Sequence, residues 1–315
     1  MTKNIVALAG GVGGAKLAYG LAQIVPPDKL TVIVNTGDDF EHLGLHISPD
    51  LDTVMYTLAG VANAATGWGV KDESWNTIAA LARYGGPTWF QLGDRDLATH
   101  LLRSQWLREQ YPYNWVTKEL CKRLGVRCSV LPMSEQPVRT MIQTDREELA
   151  FQEYFVKLRC EPVVTGIRFA GADEAQPSPE VITALRNADA IIFCPSNPLV
   201  SIGPILSLPS LRRIIAASRA AKIGVSPIIK GEALKGPAAK MMSELGMDVS
   251  ATGVANQLKD VLTGFVIDHL DEAQQDTITD MGLRTLVTAT IMNNNEARVR
   301  LAKEILEFAG AGINF

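Results

Sequence analysis

The apolar run Ile5–Ala9 passes without a break into Gly10-Gly11-Val12-Gly13-Gly14-Ala15-Lys16, and a helical pattern occupies residues 15–24 before a second apolar run, Leu30–Val34. Short uninterrupted apolar runs read as strands covered on both faces, and two of them around a helix make the building block of a parallel sheet. The C-terminal half repeats the alternation. Residues 190–194, 223–225, 265–267 and 285–287 predict strands, while 211–221, 238–245, 254–262 and 272–281 predict helices, with a long closing helix over 295–308. Ser178-Pro179-Glu180 reads as a helix start and Gly246 as the left-handed residue after a helix.

The middle of the chain differs. Residues 68–160 are rich in Trp, Arg and helical patterns, with short strand candidates at 127–131 and 139–144 and another just beyond, at 163–169. The expected organisation is an open α/β core of residues 1–67 and 161–315, with 68–160 inserted as a smaller helical lid or substrate region. A chain of 315 residues, 47% hydrophobic, suffices for such a core. The net charge of −4 offers no basic surplus for nucleic acid or an anionic membrane, so anion binding has to come from local geometry. No apolar run approaches the roughly 18–20 residues that span a bilayer, and the N-terminal stretch is too short for a signal peptide. Cys121, Cys128, Cys160 and Cys194 lack the spacing of a zinc or redox motif, so ordinary thiols in a reducing cytoplasm are expected.

Glycines after a first strand let the backbone come close to a ligand, and the N-terminus of the following helix favours an anion. The alternative is a tight turn with no ligand. Two common phosphate motifs fail here. A P-loop needs glycine before the lysine and Ser or Thr after it, but Ala15 and Leu17 flank Lys16. A dinucleotide fingerprint needs a third glycine where Lys16 stands.

The second strand ends in Asn35-Thr36-Gly37-Asp38-Asp39, and open α/β sheets bind ligands beyond the carboxyl ends of their strands. Two further acid pairs follow, Asp50 and Asp52 in 46–53, and Asp94 and Asp96 around Arg95. Carboxylates can hold magnesium or take a proton from an attacking hydroxyl, as phosphoryl transfer requires. Ser48-Pro49-Asp50 is equally ordinary helix-start chemistry, and 93–96 equally a turn before a helix. Further along, Pro195-Ser196-Asn197-Pro198 and Ser201-Ile202-Gly203 make a rigid polar loop suited to a nucleotide, or simply a rigid loop. Lys230 and Lys235 suit phosphates or open solvent equally.

In order and spacing, residues 10–17, 35–40, 43–56, 85–103 and 195–206 resemble the 2-phospho-L-lactate transferases of coenzyme F-420 synthesis. Leu131-Pro132-Met133-Ser134, Phe151-Gln152-Glu153-Tyr154-Phe155 and Val225-Ser226-Pro227-Ile228 extend that resemblance from residue 4 to about 308. The resemblance implies a Rossmann-like fold, mostly parallel with helices on both faces, and a cytoplasmic homodimer. It implies a magnesium-assisted transfer of a phospholactyl, phosphoenolpyruvyl or phosphoglyceryl group from a guanosine diphosphate-linked donor. The acceptor is the terminal ribityl hydroxyl of the deazaflavin Fo, and GMP leaves. Carried over, it makes Asp50 the candidate base and, with Arg95, an Fo contact. Asp38, Asp39 and Asp52 become candidates for the metal. Gly10, Gly11, Gly13, Gly14, Lys16 and Thr36, with Ser196, Asn197, Ser201 and Gly203, become candidates for the guanosine diphosphate. Trp68 and Trp89 either pack on the flat ring or belong to the core. The rival is a non-enzymatic nucleotide-sugar-binding regulator of the same superfamily; a nicotinamide-dependent dehydrogenase is contradicted by the broken fingerprint.

Overall fold

The structure, a computed structural model, describes residues 3–312. Seven strands form one parallel sheet: β1 (Ile5–Ala9), β2 (Leu30–Val34), β3 (Ser129–Pro132), β4 (Ala190–Phe193), β5 (Ala221–Val225), β6 (Gly264–Asp268) and β7 (Arg284–Thr288). Their spatial order is 7-6-5-4-1-2-3. The chain thus moves outward on one side from β1 to β3, then returns to the other side of β1 to lay down β4. Ile5 is in register with Leu30 on one side and with Ala190 on the other. The crevice above this reversal of order is where such sheets bind ligands.

The strands read as continuous apolar runs because both faces are covered. Every residue of β1 is buried. Ile5, Ala7 and Ala9 face a core made with helices α1 (Gly11–Ile24), α2 (Pro49–Ala59), α3 (Asp94–Arg108), α4 (Tyr113–Arg123) and α5 (Asn295–Phe308). Val6 and Leu8 face the opposite core, whose helices include Pro179–Arg186, Pro209–Ala217 and Ala251–Leu258.

Two departures from the sequence reading matter. First, α1 begins at Gly11, not near residue 15, so Gly10 alone joins strand to helix and Gly13 and Gly14 lie inside the first turns. Gly11 takes φ +58°, which L side chains rarely adopt. A Cβ on Gly13 would lie 2.1 Å from the Pro195 carbonyl oxygen, so glycine there lets the helix start press against the loop after β4. Second, the 68–160 insertion is misplaced, because β3 falls within it and pairs in parallel with β2. The helical excursion lies between β2 and β3, and a separate three-stranded antiparallel sheet follows, ordered Glu148–Ala150, Arg139–Thr144, Val164–Ala170. Strand Arg139–Thr144 is tied back to the end of β2, where the Thr140 amide donates to the Gly37 carbonyl at 2.7 Å. No single helix among the described residues is long and apolar enough to cross a membrane.

Candidate active site

A cleft of about 630 Å³ opens above the carboxyl ends of the strands. Gly10, Gly11, Gly13 and Lys16 line it from the β1 junction, Asp38 from the end of β2, and Asp50 and Asp52 from the start of α2. Ser196, Asn197 and Ser201 line it from beyond β4. Ser196 Oγ donates to the Gly10 carbonyl at 2.8 Å and accepts from the Gly10 amide at 3.2 Å, which locks the β1 and β4 ends together. Asn197 Oδ1 accepts from the Leu199 amide at 2.9 Å and caps the short helical turn that carries Ser201.

Asp50 sits at the centre. A Cβ on Gly10 would lie 2.6 Å from its Oδ2, and Asn35 Nδ2 donates to that oxygen at 2.9 Å. Burial pushes the Asp50 carboxyl up to about 6, helped by Asp39 nearby and opposed by hydrogen bonds from Asn35 and the Gly11 amide. Asp38 is pushed well above the carboxylate range, first by burial and then by repulsion from Asp50 and Asp39, with Asn35 and Thr140 hydrogen bonds opposing. Its Oδ1 is buried without a hydrogen-bond partner. Two desolvated carboxylates that repel each other, one with an unsatisfied oxygen, are a hard-oxygen donor set that fits a magnesium ion.

The other proposed metal ligands are at least partly engaged by protein groups, although Asp39 Oδ1, like Asp38 Oδ1, is buried without a hydrogen-bond partner. Asp39 is buried outside the cleft lining, and its Oδ2 accepts from the Tyr113 hydroxyl at 2.6 Å with His46 Nε2 at 3.1 Å. The helix start falls as read, with Ser48 at the cap position, Pro49 first in α2 and Asp50 in the first turn, but Ser48 Oγ lies 2.5 Å from the same tyrosine hydroxyl and makes no side-chain cap. Both oxygens of Asp52 are held by Arg103, which is fully buried. Burial works against the Arg103 charge, but Asp52 outweighs it and holds the guanidinium protonated.

Four further expected residues lie off the cleft. Arg95 is exposed and turns away, its guanidinium donating to the Lys71 carbonyl at 3.2 Å. Its neighbour Asp96 faces the cleft instead, because consecutive helical residues point about 100° apart. Thr36 is buried below the floor, Gly14 packs against Ser196 Oγ, and Gly203 packs against Phe169. Trp68 lines the cleft and Trp89 does not; Trp89 joins Phe40, His42 and Phe90 in an aromatic cluster.

Sequence reasoning gave no role to one wall. Phe151 and Phe155 lie with rings parallel, 5.4 Å apart, and with Phe90 they line the cleft opposite the glycine turn. Phe155 is partly exposed in the cleft, while Phe151 is buried and also belongs to a hydrophobic cluster with Ile142, Leu149 and Tyr154. The signal was present in the run 151–155, which reads as core because its period does not distinguish core from cleft. The far rim is built by Ser226 and Pro227 after β5, Thr290 and Met292 after β7, and Lys235. Lys16 is held below the usual lysine range by burial and by the charges of Arg298 and Lys235. Two lysines that line the cleft near the start of α1, Lys16 and Lys235, with no carboxylate on Lys16 among the described residues, make an anion-binding end. The cleft therefore holds two lysines and the Asp50 carboxylate together at the glycine turn, with aromatic side chains elsewhere in its lining.

The sequence profile described as "2-phospho-L-lactate transferase CofD" matches residues 5–300. The chain is 43% identical over 313 residues to a protein of Kitasatospora aureofaciens named phosphoenolpyruvate transferase, covering 97% of this chain and 98% of that one. A protein of the same name from Mycobacterium ulcerans is 40% identical over 333 residues, with 98% and 100% covered. Among solved structures, a UPF0052-family protein of Bacillus halodurans superposes with a TM-score of 0.64 at 16% identity, covering 97% of this chain and 99% of that one. At that identity the likeness speaks for the fold alone.

Proposed function

We propose a reaction from one premise: this chain belongs to the 2-phospho-L-lactate transferase CofD family. It acts in coenzyme F-420 biosynthesis, moving a phospho-acid group from a guanosine diphosphate-linked donor to the terminal ribityl hydroxyl of Fo. The name shared by its relatives favours phosphoenolpyruvate as the acid. The hydroxyl oxygen attacks the phosphorus that bears the acid, the bond from that phosphorus to GMP breaks, and GMP leaves with the bridging oxygen.

The observation that carries this reading is the placement of the Asp50 carboxylate against the glycine turn, in one cleft with Lys16, Lys235 and the rings of Phe90, Phe151 and Phe155. The diphosphate is placed at the start of α1, where the helix end favours an anion although the Gly10 and Gly11 amides are given to Ser196 and Asp50, with Lys16 and Lys235 beside it. Asp50, ionised above about pH 6, is placed to receive the hydroxyl proton. A flat deazaflavin ring suits Phe90, Phe151 and Phe155. A magnesium ion bound at Asp38 beside Asp50 would neutralise charge on the diphosphate. The soluble homodimer and cytoplasmic setting go with the family reading and are part of the same proposal.

The test is direct. Protein, Fo, magnesium and the guanosine-linked donor are mixed and GMP is measured. Release that stops with chelator and returns with magnesium supports the reading. Binding of a nucleotide sugar with no GMP release would reject it in favour of a regulator.

A further inference from the structure

The transfer step leaves one buried polar cluster in the cleft unused. Asp52, Asp96 and His100 offer ligand atoms within 4.8 Å of one another, the arrangement of a metal site. A cation is unneeded there, because Arg103 already holds both oxygens of Asp52. Arg103 Nη1 also lies 3.3 Å from His100 Nδ1. A guanidinium only donates, so Nδ1 accepts and the imidazole proton sits on Nε2, which lies 3.2 Å from Asp96 Oδ1 but is not aligned for a hydrogen bond to it. The Tyr56 hydroxyl donates to that same oxygen at 2.8 Å.

Asp96 is thus pinned through one oxygen only. Oδ2 has no donor among the described residues and is not fully buried, and Asp96 lines both the cleft and a small depression beside it. Burial opposes its ionisation, but the close His100 ring, the Tyr56 hydrogen bond and the Arg103 charge outweigh it and hold the carboxyl below its usual range. A fixed carboxylate with a free oxygen in a cleft accepts hydrogen bonds and donates none.

Position says which donor it meets. Asp50, Thr53 and Tyr56 all line the cleft along α2, and six residues of helix cover about 9 Å. Asp50 stands at the reacting end and Asp96 at the Tyr56 end. Asp96 also shares a small depression with Trp68, so one flat aromatic side chain that lines the cleft stands beside it. The order along the wall is base, free acceptor, flat apolar surface.

We propose that Asp96 Oδ2 accepts a hydrogen bond from an internal hydroxyl of the acceptor's polyol chain, fixing that chain between the ring and the attacking end. This rests on the transferase reading above and assigns the acceptor subsite a specificity residue. A site built to bond a hydroxyl discriminates strongly against the analogue lacking it.

The experiment compares wild type and Asp96→Asn on Fo and on an analogue that keeps the terminal hydroxyl but lacks the internal ribityl ones. Wild type is expected to lose at least about tenfold in kcat/KM on the analogue. Asp96→Asn is expected to raise the KM for Fo by a similar factor, keep the KM for the donor, and treat the two acceptors nearly alike. Equal use of both acceptors by wild type overturns the proposal, and this measurement stands even if the variant folds poorly. So does unchanged discrimination in a folded Asp96→Asn, with folding checked by stabilisation on GDP binding. Wild type that releases no GMP from the donor with Fo sinks the transferase reading and this one together; GMP release with no dependence on the internal hydroxyls sinks only this one.

Discussion

Asp50 shows what a single residue gives up for chemistry. Its carboxyl titrates near 6 in the folded protein against 3.8 as a free side chain, and burial is the first cause. Because the folded value is raised, the folded state holds the proton more tightly than the unfolded chain between those two values. Stability from this group is present below about pH 4 and is lost as pH rises through 6. A gap of about two pH units, at about 1.4 kcal/mol each, corresponds to about 3 kcal/mol. Asp50→Asn in metal-free buffer at pH 8 is therefore expected to unfold at a higher urea midpoint than wild type, while turnover falls by at least about 100-fold. The helix-start position of Asp50 opposes the gain by less than about 1 kcal/mol. Equal stability at pH 8 with equal turnover would remove both the strain and the role. The helix-start position of this residue was legible in the sequence, because an acid after a proline at a helix start can be placed without knowing the fold, whereas its assignment as base came from the family resemblance alone. Arg95 and Asp96 were not separable. Both are charged, both lie in the first turn of α3, and only the rotation of that helix against α2 decides which of them meets the cleft.

That rotation is an element-scale property, fixed by Arg103 reaching from α3 to Asp52 on α2. The pair is buried, so it is costly to break and weak evidence of net stabilisation. Arg103→Met is expected to cost about 3–5 kcal/mol, because Asp52 is left charged and unpaired. Adding Asp52→Leu should recover most of that loss while acceptor binding stays impaired, as the helices then pack without a fixed phase. Urea unfolding of the two variants checks this; a double variant no more stable than Arg103→Met would show that the pair does not set the packing. The main-sheet strands were readable as continuous apolar runs, since coverage on both faces leaves no alternation to misread. The Ser129–Pro132 strand was detected but assigned to an insertion. Four residues between helical segments carry no mark of which sheet they join, and its pairing with β2 is a contact made far along the chain. The aromatic wall was missed for a similar reason, since Phe151 and Phe155 resemble core until the small sheet turns them toward the cleft.

At the scale of the whole molecule, the order 3-2-1-4 around β1 is what brings the glycine turn, the α2 carboxylates and the loop after β4 to one mouth. Sequence gives the strands but not this order, because the return from β3 to the far side of β1 is set by how the intervening helices cover the two faces. The consequence is mechanical. β1, β2 and β3 form one flank of the cleft and β4 to β7 the other, joined at the site by Ser196 on Gly10. A diphosphate bound at the switch point contacts both flanks and resists their separation. GDP at about 100 times its dissociation constant is expected to stabilise the protein by about 2.7 kcal/mol. Amide exchange should slow in 10–16 and in 195–203 together, because local opening of either segment now breaks contacts to the same ligand. Slowing confined to one of the two segments would mean that the nucleotide sits on a single flank, and the cleft would then lose its claim to be where donor and acceptor meet.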